Sequence, residues 1–250
     1  MEKNDNPASR LLKIMYRANE LGKGLPNAPI QMVWGKIFGI GPKDTLRIYY
    51  HLFQLNTLIV EIRSKIEKIV DIDSELYLKH LGHIERMLLS PNLSARWAEM
   101  YSRIPGEAFY SLEVCSNTLS KFYKEKEIDE KELKGLRDDV DKLNEKVLSS
   151  DSLNEELKIL ILDQLELIRR AISEYSIRGT AGLKESLTRS IGEIVINNSL
   201  FDQNAKESEE GKGFLKVLGS LNRLIDKSYE KAIDMGADKF LGLLQGAMPS

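Results

Sequence analysis

The fold is decided by residues 129–177, DEKELKGLRDDVDKLNEKVLSSDSLNEELKILILDQLELIRRAISEYSI. Asp129 and Glu132 stand in capping-box spacing for a helix to Leu148, and Ser152 and Glu155 do the same for a helix over Leu153–Ile177. Between them lies Ser149-Ser150-Asp151-Ser152, a polar turn that predicts an αα-hairpin. The second helix is apolar on most of its circumference (Leu157, Ile159, Leu160, Ile161, Leu162, Leu165, Leu167, Ile168 and Ile172). Such a helix belongs at the centre of a bundle or against a partner, and the central position is the preferred reading.

Working outward, the seven prolines leave a gap between Pro105 and Pro249 with none at all. A proline inside a helix costs about 3 kcal/mol, so this gap permits long uninterrupted helices. Thirty-six leucines against 8 valines and 5 threonines favour helix over sheet. The expected class is all-α, a multi-helix bundle of about nine or ten helices.

Upstream, Asn6-Pro7 reads as a cap with proline at the first helical position. Leu11, Leu12, Met15 and Ala18 make that helix's apolar stripe, and Gly22 is the expected left-handed stop. A loop carrying Pro26 and Pro29 leads to a short helix around Ile30–Phe38, closed at Gly39–Pro42. Asp44 or Thr45 starts a long helix to about Val70, with core positions Ile48, Leu52, Leu55, Ile59, Ile62, Ile66 and Ile69. Further helices are expected near Ser74–Leu89, Ser94–Arg103, Gly106–Tyr123 and Thr180–Leu200.

Composition shifts near residue 125. Thirteen of the 18 aromatic residues precede that point, and net charge passes from +3 (17 basic, 14 acidic) to −5 (19 basic, 24 acidic). The expected organisation is a compact, aromatic-rich bundle over 1–125, then a longer-helixed half. That half holds the hairpin and following helix over 126–201, a polar linker over 202–213 and an amphipathic segment over 214–250. Whether these are separate domains or one bundle is left open by the pattern. No fixed repeat is visible, which argues against a helical solenoid.

Composition also bounds function. A formal charge of −2 argues against a cationic nucleic-acid coat. A nucleic-acid role would rest on Arg10, Lys13, Arg17 and Lys23, more simply read as a solvated helix face. The single cysteine, Cys115, excludes an intrachain disulfide framework and points to a reducing, cytoplasmic setting. The N-terminal MEKNDNPASR lacks the apolar core of a secretory signal. The longest internal run without a charged residue, Ile48–Val60, falls short of the ~20 residues a membrane span needs.

No motif for catalysis stands out, and no cofactor is expected. His80 and His83, at i, i+3, share a helix face, but two ligands do not complete a metal site and no second ligand-bearing helix is evident. Arg47-Ile-Tyr-Tyr-His51 invites comparison with HEPN-family helical ribonucleases, which pair an arginine and a histidine. The three-residue gap here is shorter than that family's, so the pair is off-pattern. Gly179-Thr-Ala-Gly182-Leu-Lys184 lacks the spacing of a phosphate loop and reads as a helix–helix turn. Cys115 shares an apolar face with Leu112, Leu119 and Phe122, the environment of a buried hydrophobe.

Binding surfaces are the remaining possibility. Trp34 and Phe38 are i, i+4 neighbours that suit either a core or an interface anchor. From Phe214 a single stripe runs through Leu218, Leu221 and Ile225, and apolar character resumes at Phe240. Behind a flexible linker this stripe would be a detachable arm. The expectation is a non-enzymatic helical binding protein, a subunit or adaptor acting through apolar helix faces on a protein partner or a second copy. The alternatives are a ribonuclease using Arg47 and His51, or a membrane-surface effector using residues 214–244.

Overall fold

The computed structural model describes residues 4–89, 92–123 and 125–229. Among them the chain forms twelve α-helices, nine of which have nine residues or more. Extended structure is confined to the two-residue pieces Asn4–Asp5 and Glu125–Lys126. The protein is all-α. It divides between residues 124 and 125 into two compact units.

The first unit contains α1 (Pro7–Lys23), α2 (Ile30–Phe38), α3 (Thr45–Glu67), α4 (Ser74–Leu78), α5 (Leu81–Leu89), α6 (Trp97–Tyr101) and α7 (Gly106–Phe122). Local signals start α1 and α3 as the sequence predicts. Asn6 and Ser9 exchange hydrogen bonds across the first turn of α1, and Asp44 accepts from Arg47 N at the start of α3. Gly39 closes α2 in the left-handed region at φ 67°.

Gly22 corrects an expectation. It is not a left-handed stop but lies within α1, which continues to Lys23. A Cβ there would stand 1.9 Å from the Trp97 indole nitrogen. The missing side chain is what lets Trp97 lie against the helix. The predicted helices over Ser74–Leu89 and Ser94–Arg103 are also shorter: the first is broken into α4 and α5, and the second is the single-turn α6. α1 packs on α3 and α7, and α3 on α5, around a floor of fully buried Leu11, Met15, Trp34, Ile48, Leu52, Leu55, Ile59 and Ile62.

The second unit contains α8 (Glu130–Leu148), α9 (Glu155–Ser173), α10 (Tyr175–Ile196), α11 (Gln203–Glu207) and α12 (Glu209–Ser228). The predicted hairpin is α8 and α9, but its caps differ. Asp129 caps α8 through Lys131 N, while Glu132 turns away to pair with Lys227 at 2.6 Å. Asn154 rather than Ser152 caps α9, accepting from Leu157 N. α9 sits between α8 and α10, the central position its apolar circumference predicts, although Ile159 remains exposed. Gly179, at φ 57° and ψ −156°, breaks α10 after its first turn. That backbone region is open essentially to glycine alone.

The expected linker over 202–213 is helical. Asp202 accepts from Ala205 N to start α11, and Ser208 accepts from Gly211 N to start α12. Polar residues read as a flexible tether are therefore two consecutive N-caps. The glycines serve approach rather than freedom. A Cβ on Gly211 would come within 1.9 Å of the Ala205 carbonyl oxygen, and one on Gly213 within 2.7 Å of Leu143 Cδ1. One hydrophobic core joins all five helices, from Ile128 through Val140, Ile161, Leu165, Leu183 and Phe214 to Ile225. The subdivision expected within this half is therefore replaced, among the described residues, by a single core.

Candidate functional site

α3 is the element with apolar surface to spare. Its inner stripe of Ile48, Leu52, Leu55, Ile59, Ile62 and Ile66 is buried. A second stripe, Leu46, Tyr49, Tyr50, Phe53 and Val60, recurs at three, one, three and seven residues, which holds it to one side of a 3.6-residue helix. All five are exposed, Leu46 at 82%, Phe53 at 59% and Val60 at 57%. At 1.5 Å per residue the stripe runs about 21 Å along the helix. Between Leu46 and Val60, Thr57 is the polar exposed residue on the same face. No charge interrupts it between Ile48 and Val60.

An aromatic stack supports this face from below. The Trp34 and Phe38 rings stack at 5.4 Å, Phe38 and His51 at 4.8 Å, and His51 meets Tyr50 edge-on at 5.3 Å. Trp34 also meets Trp97 at 5.7 Å, and Trp97 stacks on Tyr101 at 6.2 Å. Aromatic contacts at these separations add about 0.5–1.5 kcal/mol each beyond burial. The outer stripe is thus mounted on a stiff support, with Tyr50 as the last ring of the stack.

The residues singled out from sequence fall as follows. Trp34 is buried, and Phe38 is half-buried beside it. Both join His51 in the stack, a grouping that no spacing in the sequence announces. Arg47 is exposed and pairs with Asp44 at 3.8 Å, whereas the His51 ring lies between Phe38 and Tyr50. The two are i, i+4 neighbours on α3. His80 and His83 lie with ring centroids 6.3 Å apart, and an Arg86 guanidinium donates to His83 Nδ1 at 3.2 Å. Among the described residues no three His, Cys, Asp or Glu side chains gather as metal ligands would.

The C-terminal stripe requires a correction. Leu218 and Leu221 are 0% exposed and Ile225 is 5% exposed, packed in the core of the second unit by α8, α10 and α11. The described part of α12 is therefore a core helix rather than a detachable arm. Phe240 lies outside the described residues, as does the rest of 230–250. No helix among the described residues is long and apolar enough to cross a membrane. Cys115 is fully buried, its thiol donates to the Tyr77 carbonyl at 3.7 Å, and desolvation pushes its pKa up to about 12. A thiol in that state is no nucleophile.

Sequence reasoning missed Leu46, Tyr49, Tyr50, Phe53 and Val60 as a surface. The signal was present: the charge-free run Ile48–Val60 holds more apolar residues than one buried face can use. No protein-family model matches the chain, and no match is found among curated proteins or solved structures.

Proposed function

We propose that the protein works by binding, as a helical subunit or adaptor in a reducing, cytoplasmic setting, and that a partner protein lays an apolar helix along the outer face of α3. The observation that supports this reading is the exposed stripe Leu46–Tyr49–Tyr50–Phe53–Val60 on one helix face. Contiguous exposed apolar surface rimmed by polar residues marks interaction sites in soluble domains. Tyrosine and phenylalanine on a stiff support supply large contact area at little entropic cost. Arg47, Gln54 and Glu61 border one edge of the stripe and Asn56 and Arg63 the other, providing the polar rim that such an interface needs.

The test is a photo-crosslinking amino acid placed at Phe53 in the full chain, with the same group at exposed Lys134 on α8 as control. In native extract the Phe53 position should yield one dominant adduct, absent from Lys134 and lost when Leu46 and Val60 are both changed to Glu. Equal yields from the two positions would remove the proposal. An adduct between two copies would identify the partner as the protein itself.

A further inference from the structure

A separate concavity lies in the first unit where α5, the segment after it and α6 converge. It encloses about 610 Å³, and its walls are of two kinds. Ile30, Met87, Met100 and Ile104 make an apolar floor, while His83, Arg86 and Arg103 supply hydrogen-bond donors. Glu99 is the one acidic residue among those lining it. Among the described residues neither Arg86 nor Arg103 has a carboxylate within ion-pair distance; the partner shown for Arg86 is the uncharged acceptor His83 Nδ1. A guanidinium can only donate, so that nitrogen is the ring's acceptor and Nε2 carries its proton. The lining therefore carries two guanidiniums, neither ion-paired among the described residues, against a single carboxylate.

We propose that this cleft binds a small amphiphile: an anionic head, carboxylate or phosphate monoester, on a short apolar chain. The head suits the arginines, whose forked donors match planar or tetrahedral oxyanions. The chain suits the floor, where two methionines adapt to different shapes. Neither half of the ligand is sufficient alone. A bare anion would leave the floor solvated, and an uncharged chain would leave both guanidiniums without a counter-charge. Each buried methylene is worth roughly fourfold in affinity. A charge-assisted hydrogen bond to one arginine is worth about tenfold or more.

The experiment uses the full chain with methionine methyls observed by NMR and affinities read by calorimetry. The probes are hexyl phosphate, hexanoate, inorganic phosphate and hexanol. At least one of the two amphiphilic anions should shift the Met87 and Met100 methyl resonances and bind at least tenfold more tightly than hexanol or inorganic phosphate. The tighter of the two identifies the head group, and hence whether a fatty acid or a phosphate ester is the source. Arg86→Gln with Arg103→Gln should weaken binding about a hundredfold, and circular dichroism will show the fold retained because both side chains are exposed. Glu99→Gln should tighten it several-fold by removing the one like charge. Hexanol equalling both anions, inorganic phosphate equalling hexyl phosphate, no probe moving the two methyls, or unchanged affinity in the double variant would each overturn the proposal.

Discussion

α3 and α12 invite direct comparison: 23 and 20 residues long, each with a leucine- and isoleucine-rich stripe at helical spacing. α12 has one stripe, interleaved with Lys216, Arg223, Asp226 and Lys227, and the core of its unit consumes it. α3 has two stripes on opposite sides, and its unit consumes one. A clean amphipathic pattern therefore marks a helix whose apolar face is already needed by its own fold. Apolar residues in excess of one face leave a helix with exposed apolar surface. The clean stripe of α12 is buried, and the surplus of α3 is exposed.

The sharpest way to break this comparison is to charge the core stripe of α12. Leu221→Asp with Ile225→Asp should unfold the second unit, because each carboxylate would be buried without a partner at a cost of several kcal/mol. The sum rivals the whole stability of a small domain, about 5–15 kcal/mol. Loss of the far-UV helical signal and of cooperative melting is the expected result. Retained helicity with normal melting would return α12 to the role of an exposed arm.

Next in size is the α11–α12 junction, which decides whether residues 202–213 are a linker or part of the core. Gly211→Ala places a methyl against the Ala205 carbonyl, a backbone atom that cannot rotate away. Overpacking of this kind costs typically 1–3 kcal/mol. A fall in urea midpoint with unchanged m-value is expected, whereas a flexible tether would accept alanine without loss.

Burial in the first unit can be read from its only thiol. The folded-state pKa of Cys115 is raised from 9.0 to about 12, so the folded protein keeps a proton that the unfolded chain releases. The stabilising contribution is complete below pH 9 and disappears as pH climbs from there to 12. Its slope approaches about 1.4 kcal/mol per pH unit within that window. Comparing wild type with Cys115→Ala from pH 8.5 to 10 should show stability falling more steeply in wild type. Parallel curves would place the thiol in contact with water.

Much of the fold was legible because helix starts and stops are local chemistry. Asn6, Asp44 and Asp129 cap the helices they were expected to cap, and Gly39 and Gly179 take positive φ where the chain turns. What escaped was long-range. The role of Gly22 depends on Trp97, some seventy-five residues on, and that of Gly211 on how tightly α11 returns onto α12. Ser208 and Asp202 have the same composition in a loop as in a cap, so only the fold distinguishes them. The site was less legible still. Trp34 and Phe38 are paired by their own spacing and His51 by its distance from Arg47, and the stacking of His51 on Phe38 depends on how α2 packs on α3.

The smallest expected effect on stability is also the most informative for function. Phe53→Glu with Val60→Glu alters two side chains that point away from the core of the first unit, 59% and 57% exposed. Exposed substitutions away from caps and buried networks shift stability by about 0.5 kcal/mol or less, and glutamate is a good helix former. The melting curve should therefore superimpose on wild type, in contrast to the α12 double variant, although both changes place two carboxylates on apolar stripes. A loss of several kcal/mol would mean that the outer stripe of α3 is covered within the chain, making the two helices alike. An unchanged melt, with loss of the adduct formed from a crosslinker at Tyr49, would show that the surplus on α3 serves association and contributes nothing to the fold.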